Sequence, residues 1–181
     1  MHIGFDAKRA FHNNTGLGNY SRDTIGIMAM LYPDNSYVLY DPKPNTGKRF
    51  ADNLLVKIVG PKNKLHQKLG FLWRSSGIKQ QLVEDGIDLY HGLSNELPVG
   101  ISKTKVKSVV TIHDVIFMRF PELYPRIDRI IYQKKTVRAC QEADVIVAIS
   151  EQTSQDLQFY FKVPKSKIKV VYQGCHPIFK K

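Results

Sequence analysis

The chain has 181 residues and a formal net charge of +11. At ~100–200 residues per domain, this length holds one domain with a sizeable core and leaves no room for a second full one. With 43% hydrophobic and 24% charged residues the composition is globular, which excludes a disordered or collagen-like chain.

Apolar runs such as Val145-Ile146-Val147-Ala148-Ile149 fall far short of the ~18–20 residues that cross a bilayer, so no transmembrane helix is expected. The opening Met1-His2-Ile3-Gly4-Phe5-Asp6 lacks a basic segment followed by a long apolar one, so no secretory signal is expected. Cys140 and Cys175 show no metal-type spacing. Free thiols in a reducing cytoplasm are the expectation. The basic balance suits a polyanionic partner: nucleic acid, anionic membrane or a phosphate-bearing ligand.

In chain order, strands and helices alternate. His2 to Asp6 is a short apolar strand. Tyr20, Thr24, Ile27, Met28 and Leu31 recur at helical spacing. Ser36 to Tyr40 is a second strand after the turn signal Pro33-Asp34-Asn35, and Leu54 to Val59 is a third. The stretch from Asp41 to Arg49, rich in Pro, Gly and Lys, is expected to be a mobile loop. A helix is expected from about Leu65 to Asp85, with Gly70 and Gly77 as weak points. Strands follow at Asp88–His91, Val106–Ile112 and Val145–Ile149, with a helix over Pro125–Ala143. Ser150 is the N-cap of a further helix, and Lys169–Tyr172 is the last strand. Strands that are apolar on both faces and alternate with helices predict an α/β fold. The expected form is an open, doubly wound, mostly parallel sheet with helices on both faces.

In such sheets ligands bind beyond the carboxyl ends of the strands. Polar and glycine-rich segments fall there repeatedly: Lys8-Arg9 and Asn13 to Gly18 after the first strand, and His91 to Glu96 after the fourth. Thr111-Ile112-His113-Asp114 follows the fifth strand and Ser150-Glu151 the sixth. Gly16 and Gly18 open a helix whose first amides could meet phosphate; an ordinary strand-to-helix turn explains them equally. Ser21 stands where a dinucleotide fingerprint needs its third glycine, so that fingerprint is not met. His113 could hydrogen-bond a ligand hydroxyl or stabilise charge. His91 has a weaker claim, and His2, His12 and His66 have none. No histidine pair at helical metal-ligand spacing and no Asp-x-Asp occur, so no metal site is expected.

Within 65–85, Leu65, Leu69, Leu72 and Val83 share one helical face, Phe71, Ile78 and Leu82 another, and Trp73 flanks the first. Lys62, Lys64, Lys68, Arg74 and Lys79 surround them. The stripes are expected to face the core with a solvated basic edge. The other reading is a basic amphipathic surface for anionic lipid.

Taken together, four stretches resemble the N-terminal half of group 1 (family 4) retaining glycosyltransferases of GT-B architecture. They are Ile3 to Ala7 with Thr15 to Tyr20; Asp88 to Gly92; Val109 to Asp114 with Pro121-Glu122; and Ala143 to Ser150 continuing to Val170–Gly174. The mannosyltransferase-like branch is the nearest in flavour. The resemblance implies an acceptor-side Rossmann-like domain over 1–175, with 176–181 opening an interdomain linker. The C-terminal donor-binding domain and its Glu-x7-Glu pair would lie outside this chain, leaving it inactive alone. The intact protein would transfer a hexose, such as mannose, with retained anomeric configuration and without a metal or other cofactor. Its partners would be a nucleotide-diphosphate sugar and a glycan or lipid-linked acceptor, in polysaccharide or lipopolysaccharide biosynthesis. Gly16, Leu17 and Gly18 would approach the donor phosphates. His113 and Asp114 would be catalytic, the first near the donor sugar and the second orienting that loop. Lys8, Arg9, Ser94, Asn95 and Glu96 would line the acceptor side. The implied location is cytoplasmic, with peripheral contact at the inner face of an anionic membrane.

Two other classes remain open. One is a non-catalytic Rossmann-like module that binds a glycan or a protein through the same cleft. The other, nucleic-acid binding, rests on charge alone. No strand interleaves aromatic and basic residues in its support, so no nucleic-acid partner is expected.

Overall fold

The computed structural model describes residues 1–44, 50 and 56–174. Among these residues seven strands form one sheet: β1 (His2–Asp6), β2 (Ser36–Tyr40), β3 (Val56–Val59), β4 (Leu89–Gly92), β5 (Lys107–Ile112), β6 (Val145–Ala148) and β7 (Ile168–Val170). Their order is β3-β2-β1-β4-β5-β6-β7. Every described pairing is parallel, so the sheet is more uniform than the expected mostly parallel one. The order reverses between β1 and β4, where Phe5 pairs with His91. The loops leaving those two strands therefore diverge and open a crevice at their carboxyl ends.

Helices cover both faces because alternate strand residues point to opposite sides. Ile3 and Phe5 of β1 and Tyr37 and Leu39 of β2 pack with Ala10, Phe11, Ile25 and Ala29. Those residues belong to α1 (Lys8–His12) and α2 (Gly16–Leu31). On the other face, Val38, Tyr40, Tyr90 and Val110 join the core made with Trp73, Ile78 and Leu82. Gly4 leaves room there, since a Cβ would sit 3.0 Å from the Tyr40 ring. The short α1 was not legible in the sequence. The core face of α2 is Ser21, Ile25 and Ala29; Ile27 and Leu31 of the expected face are exposed.

The expected 65–85 helix is broken in three. α3 (Lys64–Lys68) ends at Leu69, α4 (Gly70–Leu72) runs into a π-helical turn over Trp73–Gly77, and α5 (Ile78–Glu84) completes it. Both glycines mark close approaches: a Cβ on Gly77 would lie 2.5 Å from the His66 ring, and one on Gly70 would lie 3.0 Å from Pro42. The inward face is Trp73, Ile78 and Leu82, with the Trp73 indole N–H donating to Gln81 Oε1 at 3.1 Å. Leu65, Phe71, Leu72 and Val83, expected on core stripes, are exposed.

Downstream come α6 (Ile116–Arg119), α7 (Arg126–Glu142) and α8 (Glu151–Phe161). Ser150 caps α8 as expected, its hydroxyl accepting the Thr153 amide at 3.1 Å. The expected mobile loop begins otherwise: Asp41 is fully buried and bonds His12 Nε2 at 2.8 Å. Positions 45–49 of that loop, Leu54 and Leu55 of the expected third strand, and Cys175 lie outside the described residues. No described helix is long and apolar enough to cross a membrane.

Candidate functional site

A cavity of about 280 Å³ opens at the carboxyl ends of β1, β4 and β5. Arg9 and Leu17 reach it from the β1 side, Ser94, Asn95 and Glu96 from the β4 loop, and His113 and Asp114 from the β5 end. Phe117 closes it from α6, Tyr124 from the turn between α6 and α7, and Tyr132 and Lys135 from α7. Seven of the residues named from the sequence thus share one wall system. Lys8, Gly16 and Gly18 are not among its lining residues.

His113 is buried, and both ring nitrogens are engaged. Nε2 lies 2.9 Å from the Leu93 carbonyl and Nδ1 lies 3.1 Å from Gln173 Nε2. This pairing assigns the neutral tautomer: Nε2–H donates to the carbonyl and Nδ1 accepts from the amide. Burial lowers its pKa, against the opposing pull of the Leu93 hydrogen bond and Asp114. The Tyr20 ring meets it edge-on at 4.8 Å. The ring is thus held at both nitrogens and by the Tyr20 ring, and it also lines the cavity.

Asn95 ties the β4 and β5 loops together. Its Oδ1 accepts the His113 amide at 2.9 Å and its Nδ2 donates to the Asp114 carbonyl at 3.3 Å. It holds φ at 56°, a left-handed conformation that Asn tolerates better than most residues. Asp114 accepts the Ile116 amide through Oδ1 at 3.2 Å, which turns the chain into α6.

The lining residues Phe117, Tyr124, Tyr132 and Lys135 were not named from the sequence; nor were two residues that support the site from behind, Asp6, the last residue of β1, and Arg74, assigned there to a solvated basic edge. The Arg74 guanidinium is nearly enclosed and grips Asp6, with Nε and Nη2 2.9 and 2.7 Å from Oδ2. Its Nη1 pairs with Glu96, whose other oxygen accepts Lys135 Nζ at 2.8 Å. Burial opposes the Arg74 charge, but Asp6 outweighs it and raises the pKa. Burial likewise works against Glu96 ionisation, and Arg74 with Lys135 outweighs it. Lys8 has its pKa lowered by partial burial and by the neighbouring Arg74. The one signal for Asp6 was a carboxylate ending an apolar strand at the ligand edge. Nothing local marked Arg74, whose inward aim depends on the π-helical turn.

The glycine turn has a local explanation. Gly18 donates its amide to Asn13 Oδ1 at 3.1 Å and Thr15 O at 3.0 Å, and a Cβ there would lie 1.8 Å from the Asn13 carbonyl. The close approach that requires this glycine is thus to Asn13. Gly16 faces open space, with nothing within 4 Å of a Cβ. Among the described residues no group of three His, Cys, Asp or Glu side chains could hold a metal.

A parallel, doubly wound sheet with its cavity at the strand-order reversal is the Rossmann-like arrangement of a ligand-binding α/β domain. The Glycosyltransferase Family 4 model matches residues 36–177, and the chain belongs to that family. The fold is similar to that of a glycosyltransferase from Rickettsia africae ESF-5, at TM-score 0.55 and 13% identity over 97% of this chain and 43% of that one. It is also similar to UDP-GlcNAc 2-epimerase from Methanocaldococcus jannaschii, at TM-score 0.53 and 13% identity over 94% of this chain and 45% of that one. The chain therefore spans less than half the length of either. No curated protein matches the sequence significantly.

Proposed function

We propose that this chain is the acceptor-side half of a retaining glycosyltransferase, completed by a donor-binding domain carried elsewhere. Residues 1–175 would form that half and 176–181 the start of the linker. The intact enzyme would move a hexose, such as mannose, from a nucleotide-diphosphate sugar to a glycan or lipid-linked acceptor in polysaccharide or lipopolysaccharide assembly. It would need no metal or further cofactor. It would work in the cytoplasm, touching an anionic membrane peripherally. The observation that carries this reading is the cavity where the loops after β1, β4 and β5 converge, in a chain of this family.

In this reading the chain's residues divide the work. The Gly16 and Leu17 amides, the first two of α2, have no hydrogen-bond partner among the described residues and would meet donor phosphate across the cleft. The Gly18 amide supports the turn. His113, kept neutral by burial, would turn Nδ1 from Gln173 to a sugar hydroxyl as substrate enters. Asp114 would orient the same hydroxyl region, and Asn95 would hold both residues in place. Lys8, Arg9, Ser94 and Glu96 would face the acceptor, with the Asp6–Arg74–Glu96–Lys135 chain fixing the Glu96 carboxylate. Fixed dipoles of this kind stabilise developing charge with little reorganisation.

The test measures nucleoside diphosphate release from a set of nucleotide sugars. The 181-residue chain alone should release none. A longer form joined to a donor-binding domain should turn over, and His113→Ala in it should lower kcat ~10- to 1,000-fold. Turnover by the chain alone, or unchanged kcat in His113→Ala, refutes the reading. Saturable glycan binding with no transfer by the longer form would make the chain a binding module instead.

A further inference from the structure

Arg9 is the one side chain among the described residues with a buried nitrogen that has no hydrogen-bond partner: its Nε is enclosed and unpaired. No ion pair or hydrogen bond of its guanidinium is found among the described residues, whereas Arg74 is paired with Asp6 and Glu96, and Lys135 with Glu96. A buried guanidinium nitrogen left unpaired is costly, and a bound oxyanion is one partner that would satisfy it. Arg9 lines the cavity with His113, Tyr124 and Tyr132. Its charge is felt at the His113 ring, where it disfavours protonation. The acids of the cavity leave it unmatched: Glu96 is held by Arg74 and Lys135, and Asp114 accepts the Ile116 amide.

We propose that Arg9 is the anion-recognition residue of this cavity, and that the sugar acceptor carries a phosphate group which the Arg9 fork binds. The proposal rests on the glycosyl-transfer reading and deepens it by naming the acceptor's chemical class. A guanidinium offers Nε–H and Nη–H in a plane that matches two oxygens of one oxyanion. The Tyr124 and Tyr132 rings, 6.4 Å apart and nearly perpendicular, supply apolar faces against which a sugar ring can lie. Phosphate on a soluble sugar and phosphate at a lipid surface present the same oxygens.

The test uses the ¹⁵N-labelled 181-residue chain, with glucose 1-phosphate, methyl α-glucoside and UDP as probes. Glucose 1-phosphate should shift the Asn95 and His113 amides saturably, and the uncharged glucoside should not. Arg9→Gln should weaken the phosphate ligand at least tenfold while keeping the parental melting temperature. Arg9→Lys, which keeps charge and loses the fork, should fall between. It decides the matter if the Gln variant does not fold. Sedimentation with phosphatidic acid or phosphatidylcholine vesicles separates the sources. Arg9-dependent binding to the first assigns lipid phosphate, and its absence beside glucose 1-phosphate binding assigns a soluble acceptor.

Equal binding by parent and both variants overturns the proposal, as does a glucoside as tight as the phosphate. Tighter Arg9-dependent binding of UDP overturns it too, since Arg9 would then serve the donor. Loss of Arg9-dependent binding in a chain whose longer form transfers sugar defeats this proposal alone. Arg9-dependent binding beside a longer form that uses no nucleotide sugar defeats the reading beneath it.

Discussion

Arg74 Nη2 stands 2.7 Å from Asp6 Oδ2, joining the π-helical turn to the end of β1 across 68 positions of sequence. The Asp6 side chain is 4% exposed and that of Arg74 12%, so each charge depends on the other for its solvation. Through Glu96 the same guanidinium sets the β4 loop at the cavity rim. One buried ion pair thus fixes where two strand ends place their ligand-facing residues.

Arg74→Ala should cost ~3–5 kcal/mol of stability, because it strands the Asp6 carboxylate in a dry site. Urea unfolding of parent and variant measures this. The paired change Asp6→Leu with Arg74→Met should recover most of the loss. A single variant of parental stability would show that the pair is solvated.

The two glycines of the first turn should behave oppositely. Gly16→Ala has free space and a helical backbone and should change stability by no more than ~1 kcal/mol, in the stabilising direction. Gly18→Ala drives a methyl into the Asn13 carbonyl and should lower the melting temperature markedly. Melting curves of the two variants check both outcomes. Equal midpoints would contradict the Asn13 contact.

Asn95→Ala removes the bonds to the His113 amide and the Asp114 carbonyl and places alanine at positive φ. The expected loss is ~2–3 kcal/mol, from an unsatisfied buried amide and a strained backbone. Asn95→Gly relieves only the strain and should recover part of it. If alanine and glycine are equally harmful, the hydrogen bonds account for the whole effect.

Burial lowers the His91 pKa from 6.5 to about 4. The folded state therefore resists a proton that the unfolded chain accepts below pH 6.5. Stability should fall as pH drops from 6.5 towards 4, with His113 adding in the same direction. Below about 4.5, protonation of Glu96 should remove more, since its folded pKa is depressed. Melting temperature against pH reads these windows, and His91→Gln should flatten the first. A flat profile between pH 4 and 7 would contradict the buried neutral imidazole.

Trp73 is 1% exposed, whereas Phe71 on the same broken helix is 69% exposed. Trp73 emission should be blue-shifted in buffer and unchanged by vesicles. Any weak, salt-sensitive association with anionic vesicles should therefore be read by sedimentation and reduced by Phe71→Ser. A Trp73 shift on vesicle binding would place the indole at the surface.

The strand pattern was determined by the sequence alone. Short runs of β-branched and aromatic residues, each followed by a polar turn, specify a parallel sheet buried on both faces and a ligand edge at the carboxyl ends. His113, Asn95 and Arg9 could be named at that edge because each lies within three residues of the end of its strand. Tertiary structure decided what periodicity cannot carry. Helical spacing placed Arg74 on a solvated rim, yet a π-helical turn rotates it onto Asp6. The same break sends Trp73 inward and leaves Leu65, Phe71 and Leu72 outside. Glycine at position 18 read as room for phosphate, while the packed chain shows the Asn13 carbonyl in that space. In each case the deciding partner lies on another element or across a turn, and its distance is set only when the sheet and helices pack.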